Sequence, residues 1–163
     1  MYNYNQYVET YPQYFNYDGK YKKIDNLVLT GNEKTVLPFM AQKGDKILIK
    51  AVSDLGNQSL LSVIGGSGNR LYVVMRDNVV DVIGNKGTAQ QVENNIEINI
   101  IDVFENAPYA LFQSLTTANY NGIFYSFTLY REGQKISDLR PCIANGEQAL
   151  FDIINKKLII LEE

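Results

Sequence analysis

Few residues in this chain could do chemistry. It has no histidine and one cysteine, Cys142. Without His the commonest general base is gone, and with it the Ser-His-Asp triad and most zinc sites. One Cys excludes a multi-Cys metal cluster and an intrachain disulfide. Cys142 follows Pro141 and reads as a small buried hydrophobe rather than a nucleophile. The carboxylates Glu93, Glu97, Asp102 and Glu105 lie close in sequence. A glycosidase needs two carboxylates about 5 to 9 Å apart in a groove. Glu97 and Asp102 are five positions apart and face opposite sides of an extended strand. There is also no Trp to stack on a sugar. Gly65-Gly66-Ser67-Gly68 lacks the Gly-Lys-Ser/Thr that opens a helix in a phosphate loop, so it reads as a hairpin loop. Asp54, Asn57, Asp77, Asn78, Asp81 and Asn85 offer oxygens of the kind calcium takes. Asx residues favour such turns through their own local hydrogen bonds. No loop motif joins these oxygens, so no metal site and no cofactor is assigned. The chain reads as a non-enzyme.

The elements that must position these residues are short strands. Ile123 to Tyr130 alternates, with Ile123, Tyr125, Phe127 and Leu129 on one side and Phe124, Ser126, Thr128 and Tyr130 on the other. Glu132-Gly133 turns the chain back through Lys135 to Leu139. Pro141 cannot donate to a ladder, so it should end that strand or lie at an edge. Asn145-Gly146 is the strongest hairpin signal, because such a turn needs residues that tolerate positive φ. Ala149–Ile154 and Leu158–Leu161 follow as strands.

Upstream, strands are expected at Leu27–Leu29, Val36–Met40, Lys46–Val52, Ser59–Ile64, Leu71–Met75, Val79–Ile83 and Asn94–Phe104. Pro38 marks Val36–Met40 as an edge. In Asn94–Phe104, Ile96, Ile98, Ile100 and Val103 should face inward. Thr88–Asn95 is polar and reads as a loop. Gln113–Asn119 could hold a short helix at most. Turn signals recur about every ten residues, the spacing of an antiparallel sandwich.

Residues 1–23 differ from the rest. Seven of the twelve tyrosines fall here, at Tyr2, Tyr4, Tyr7, Tyr11, Tyr14, Tyr17 and Tyr21. They sit among Asn and Gln with almost no aliphatic residue, at neither a helical nor a strand period. Tyr combines a large semi-rigid area with a polar tip, which suits an interface. The segment reads as an arm that docks on a partner chain. The plainer alternative is an extra edge strand on its own domain. The expected organisation is an N-terminal docking arm at 1–23 and one β-sandwich domain at 24–163.

Length and charge bound the rest. A chain of 163 residues suits one domain with an independent core. A net charge of −3 argues against nucleic acid, which attracts a basic face. No apolar run approaches the roughly 18 residues of a membrane span. The first residues lack a signal peptide's basic and apolar regions, so synthesis in a cytoplasm is expected.

Three segments carry a family resemblance. They are Gly122-Ile-Phe-Tyr-Ser-Phe-Thr-Leu-Tyr130, Ile136-Ser-Asp-Leu-Arg-Pro-Cys142 and Ala149-Leu-Phe-Asp-Ile-Ile-Asn-Lys-Lys-Leu158. Together they resemble the C-terminal half of concanavalin A-like (laminin G-like) jelly-roll domains, which many phage and prophage structural proteins carry. Phe151 stands where the family has Tyr. Tyr109–Leu115 is similar to a further strand of that family. The match covers about a quarter of the chain well and half of it loosely. It implies an all-β antiparallel sandwich of the jelly-roll type and a phage setting, and it names no catalytic or binding residue. Glucanases of this fold carry closely spaced acids such as Glu-x-Asp-x-x-Glu, which the chain does not reproduce. The implied function is a virion structural protein, a capsid-decoration or head-fibre component. It would be made in the host cytoplasm, and its arm would bind other virion proteins. The alternative is a glycan-binding module for host or mucosal polysaccharide, with Tyr72, Tyr109, Tyr120 and Tyr130 as stacking platforms. Core or cross-strand packing is the plainer role for each of these four.

Overall fold

The computed structural model describes residues 21–53, 58–65, 70–93, 95–113 and 118–163, with the backbone alone at Ala118. The described chain is all-β and contains no helix. Its strands are β1 (Lys22–Lys23), β2 (Leu27–Thr30), β3 (Thr35–Met40), β4 (Lys46–Ser53), β5 (Gln58–Ile64), β6 (Arg70–Arg76), β7 (Val79–Ile83), β8 (Gly87–Val92), β9 (Asn95–Ile100), β10 (Pro108–Leu111), β11 (Ala118–Asn119), β12 (Asn121–Arg131), β13 (Gln134–Ala144), β14 (Glu147–Asp152) and β15 (Lys157–Ile160).

They form two packed sheets. The larger runs β15-β14-β13-β12-β4-β9-β8, with β1 on β13 and β2 on β12. The smaller runs β3-β10-β5-β6-β7, with β11 on β5. Pairing is antiparallel except between β11 and β5. The core lies between the sheets. Ile47, Ile49, Ile96, Ile98, Phe124, Phe127 and Leu129 of the larger sheet meet Leu61, Val63, Leu71, Val73, Tyr109 and Leu111 of the smaller. Alternation places these residues on one face, since neighbours along a strand face opposite sides, and a register shift in β12 keeps Phe124 there with Phe127 and Leu129. At one margin β3 is tied to the C-terminal end. Lys34 N–H donates to the Glu162 carbonyl (2.9 Å) and Glu162 N–H returns to Lys34 (2.8 Å).

Turn chemistry follows the residues. Asp77-Asn78, Glu132-Gly133 and Asn145-Gly146 all have positive φ and close tight hairpins. Pro38 sits in β3, the edge of the smaller sheet, as its missing N–H requires.

Four local expectations are corrected. Residues 87–92 form β8, paired with β9 from Gly87↔Ile100 to Val92↔Asn95. Backbone pairing at a sheet margin needs no apolar alternation, so Thr-Ala-Gln-Gln-Val conceals it. The long strand expected to Phe104 stops at Ile100, and Val103 is 57% exposed. Strict alternation in β12 fails because its register against β4 shifts between Phe124 and Ser126. This bulge inserts Tyr125 and brings Phe124, Phe127 and Leu129 to the core together. Pro141 does not end its strand, for β13 runs on to Ala144 against β14. Its carbonyl accepts from Ile24 N–H (3.2 Å), so its backbone faces β1 and not β14. A strand residue's N–H and C=O point the same way, so the missing donor removes no bond to β14.

Candidate functional site

The larger sheet forks. β12 and β13 pair from Arg131↔Gln134 to Phe127↔Leu139 and then separate. β2 takes up the free edge of β12, from Phe124↔Leu27 to Asn121↔Thr30. β1 takes up the free edge of β13, with Lys22↔Ile143 and Lys23↔Cys142. Lys22–Lys23, expected in the arm, and Leu27–Thr30 thus wedge into the sheet. The other edge of β2 is met by a side chain. Gln148 Nε2 donates to the Val28 carbonyl (3.0 Å), and Val28 N–H donates to Gln148 Oε1 (2.7 Å). The Gln148 amide thus serves β2 as a strand backbone would.

Two features share the outer face here. The first is a depression of about 230 Å³ at the fork, lined by Lys23, Asp25, Lys50, Tyr125, Ser126 and Arg140 among others. Tyr125, the bulged residue, is half-buried, with Lys50 Nζ 5.1 Å from its ring centroid. The second is an apolar cluster of Cys142, Ala144, Ala149, Phe151 and Ile153, each at most 6% exposed. Leu139, Leu150 and Ile159 of the same strands enter the main core, so this cluster occupies the opposite face. Tyr21 lies against it, its ring 5.7 Å from that of Phe151. Burial pushes the Cys142 thiol up to about 12, out of the range of a ready nucleophile.

The motif residues brace this corner. Asp152 Oδ1 accepts from the N–H groups of Ile154 (3.0 Å) and Asn155 (3.1 Å). Its Oδ2 accepts from Ser137 Oγ (2.8 Å) and Asn155 Nδ2 (2.7 Å). Asp138, buried, accepts from Arg140 Nε (2.7 Å) and Nη2 (3.2 Å), with Lys135 Nζ at 3.4 Å. These carboxylates are held in turns and ion pairs.

The residues singled out in the sequence fall into different places. Tyr2, Tyr4, Tyr7, Tyr11, Tyr14 and Tyr17 lie outside the described residues, while Tyr21 is half-buried on the larger sheet. As glycan platforms, Tyr72, Tyr109 and Tyr120 are corrected. They are 3%, 0% and 0% exposed, and a buried ring presents no face to a sugar. Tyr109 donates from its hydroxyl to Asp45 Oδ2 (2.6 Å), and Tyr120 stacks near Phe112 with centroids 6.0 Å apart. Tyr130 remains half-buried on β12, in register with Lys46 and Lys135. The better-placed ring is Tyr125, which plain alternation could not distinguish because the bulge sets its direction.

The acidic residues do not converge. Glu97 faces out and pairs with Lys46 at 3.4 Å. Asp102 accepts from the neighbouring Val103 N–H. Asn78 Oδ1 accepts from Ser53 N–H (2.8 Å), and Asp81 lies 3.8 Å from Arg76. Asp54 and Asn57 lie outside the described residues. Among the described residues no group of three or more His, Cys, Asp or Glu is placed to hold a metal ion. Comparison with family models, with curated proteins and with solved structures gave no match.

Proposed function

We propose that this chain is a non-enzymatic structural protein of a phage virion, a concanavalin-like sandwich that decorates a capsid or anchors a head fibre. It docks on other virion proteins through its tyrosine-rich arm. The observation that carries the reading is compositional: Tyr2, Tyr4, Tyr7, Tyr11, Tyr14 and Tyr17 are set among Asn and Gln with almost no aliphatic residue, while Tyr21 seats on Phe151 of its own sandwich. The resemblance of residues 121–159 to phage jelly-roll domains supports the setting, and its motif residues serve packing, as a shared scaffold requires.

A second reading keeps one specific support. Tyr125 and Lys50 border the depression at the fork, so the module could hold a saccharide there.

The test is particle association. Mass spectrometry of purified virions should find the protein at stoichiometric level. The full chain should rebind particles stripped of it, and a chain with Tyr2, Tyr4, Tyr7 and Tyr11 changed to Ser should not. Absence from virions overturns the reading. Saturable saccharide binding lost in Tyr125→Ala would move the function to adhesion.

A further inference from the structure

The depression at the fork is built by the backbone. β12 and β13 part after Phe127↔Leu139, and β1 and β2 take up their free edges. The hollow left there measures about 230 Å³. Pockets for drug-sized ligands run to roughly 300–1,000 Å³, so this one suits a single ring. The bulge in β12, between Phe124↔Ala51 and Ser126↔Lys50, adds Tyr125 and turns it to the hollow. Charge here runs against the chain as a whole. The net charge is −3, yet among the described residues Lys23, Lys50 and Arg140 line the hollow against one carboxylate, Asp25. Other cations of the same sheet meet carboxylates: Lys46 meets Glu97 at 3.4 Å, and Lys135 and Arg140 meet Asp138 at 3.4 and 2.7 Å. Lys50 differs. It is exposed and among the described residues makes no ion pair; its ammonium stands over the Tyr125 ring, 5.1 Å from the centroid. An ammonium held in place without being neutralised is prepared for an anion.

Two further features narrow the ligand. Asp25 repels a highly charged anion but accepts from hydroxyl groups. Val52 lies two positions from Lys50 and so on the same face, and Ile123 stands opposite both Val52 and Val28. Val52 is 43% exposed and Val28 56%. An apolar shelf therefore adjoins the hollow and suits a C–H face. One ring that joins a single negative group, several hydroxyls and a C–H face is an acidic sugar. We infer that the fork binds an anion-bearing sugar residue. Lys50, positioned by Tyr125, takes its carboxylate or sulfate. Asp25 and Ser126 take its hydroxyls, and Val52 and Ile123 take its C–H face. The inference rests on the saccharide reading of this depression and adds the ligand's charge. It does not depend on the virion setting.

The test is an NMR titration of the full-length chain with methyl glucuronide, methyl glucoside, the 6-sulfate of that glucoside, and inorganic sulfate. The two acidic sugars should bind about fivefold or more tighter than the neutral glucoside, the effect of one charge-assisted hydrogen bond. The tighter of the two tells carboxylate from sulfate. The preference should shrink to about twofold or less at high salt, where exposed charges are screened. It should vanish in Lys50→Gln and survive in Lys50→Arg. Lys50 is exposed, so both variants should melt as the parent does. A glucoside that binds as tightly as the acids overturns the inference and leaves the saccharide reading standing. Binding of none of the sugars overturns both. A preference that persists in Lys50→Gln overturns the inference, as does inorganic sulfate that competes as well as the acidic sugars, since nothing would then read the ring.

Discussion

Arg131 grips Asp45 with two parallel hydrogen bonds, Nε to Oδ1 at 2.8 Å and Nη2 to Oδ2 at 2.9 Å. The Asp45 side chain is fully buried and that of Arg131 is 23% exposed. The same carboxylate accepts from Tyr109 Oη (2.6 Å) and from Gln42 N–H (3.0 Å). Arg131 belongs to the larger sheet and Tyr109 to the smaller, so this one carboxylate ties the two layers. Its hydrogen bond to Asp45 is the main cause that raises the Arg131 pKa and keeps the guanidinium charged.

Removing the cation should therefore be costly. Arg131→Ala leaves a buried carboxylate with two neutral donors and should destabilise the fold by about 3 kcal/mol or more. Tyr109→Phe removes one donor and should cost about 1–2 kcal/mol. Urea unfolding of both variants and of the double variant checks this. The double variant should lose less than the sum, because the two side chains serve one acceptor. Simple additivity would show that they act separately.

Alkaline pH should weaken the fold in a defined window. Burial raises the Cys142 thiol from its ordinary value of 9.0 to about 12. Burial first, and then the acceptor Asp45, also raises the Tyr109 phenol. Both groups stay protonated in the folded chain at a pH where the unfolded chain has lost their protons. Their contribution is complete below the unfolded values and is lost as pH rises. The loss should begin near pH 9 with Cys142 and steepen above pH 10 as Tyr109 joins. Each group adds at most about 1.4 kcal/mol per pH unit. Thermal melts from pH 7 to 11 should show it, and Cys142→Ala should flatten the portion that starts near pH 9.

The fold class was legible because burial on one face imposes a period of two. Ile47 and Ile49, or Ile96, Ile98 and Ile100, announce their strands without help. The Asn145-Gly146 and Glu132-Gly133 turns were legible because few residues accept their φ. β8 was not, since Gln90 and Gln91 hold a margin through backbone alone. Tyr125 was misplaced because a bulge is set by pairing with β4, which leaves no local mark. Asp45, Tyr109 and Arg131 are separated by 64 and 86 positions, so no spacing rule joins them. The seat of Tyr21 on Phe151 was hidden for the same reason.

Asp152 tests whether the family-like motif is a packing device. Its two oxygens hold Ser137, Ile154 and Asn155, and Asn155 Nδ2 also reaches the Ile136 carbonyl (2.9 Å). Asp152→Ala strips acceptors from two turn N–H groups and a buried hydroxyl. It should cost about 2–4 kcal/mol. Asp152→Asn keeps one acceptor oxygen and should lose about half as much. Chemical denaturation measures both. Equal losses would mean that the space filled by the side chain matters and its oxygens do not.

Gly122, which opens the motif, should tolerate no side chain. It sits in β12 between β2 and β4, opposite Leu29 and Ser53. A Cβ built there runs into the Val52 carbonyl oxygen, with Ser53 Cα at 3.0 Å and Tyr120 Oη at 3.1 Å. The first two are backbone atoms of a core strand, which cannot swing aside as a side-chain tip would. Gly122→Ala should therefore cost about 3 kcal/mol, the upper end for overpacking, and loosen the pairing of β12 with β4. Gly133 gives the contrast. Its φ is +77, but nothing lies within 4 Å of an added Cβ. Gly133→Ala should cost about 1–2 kcal/mol through backbone strain alone. Urea midpoints for the two variants, with amide exchange in β4, would separate collision from strain. A Gly122→Ala chain no less stable than Gly133→Ala would mean that β4 can shift to make room, and that the bulge beside Tyr125 is softer than its burial implies.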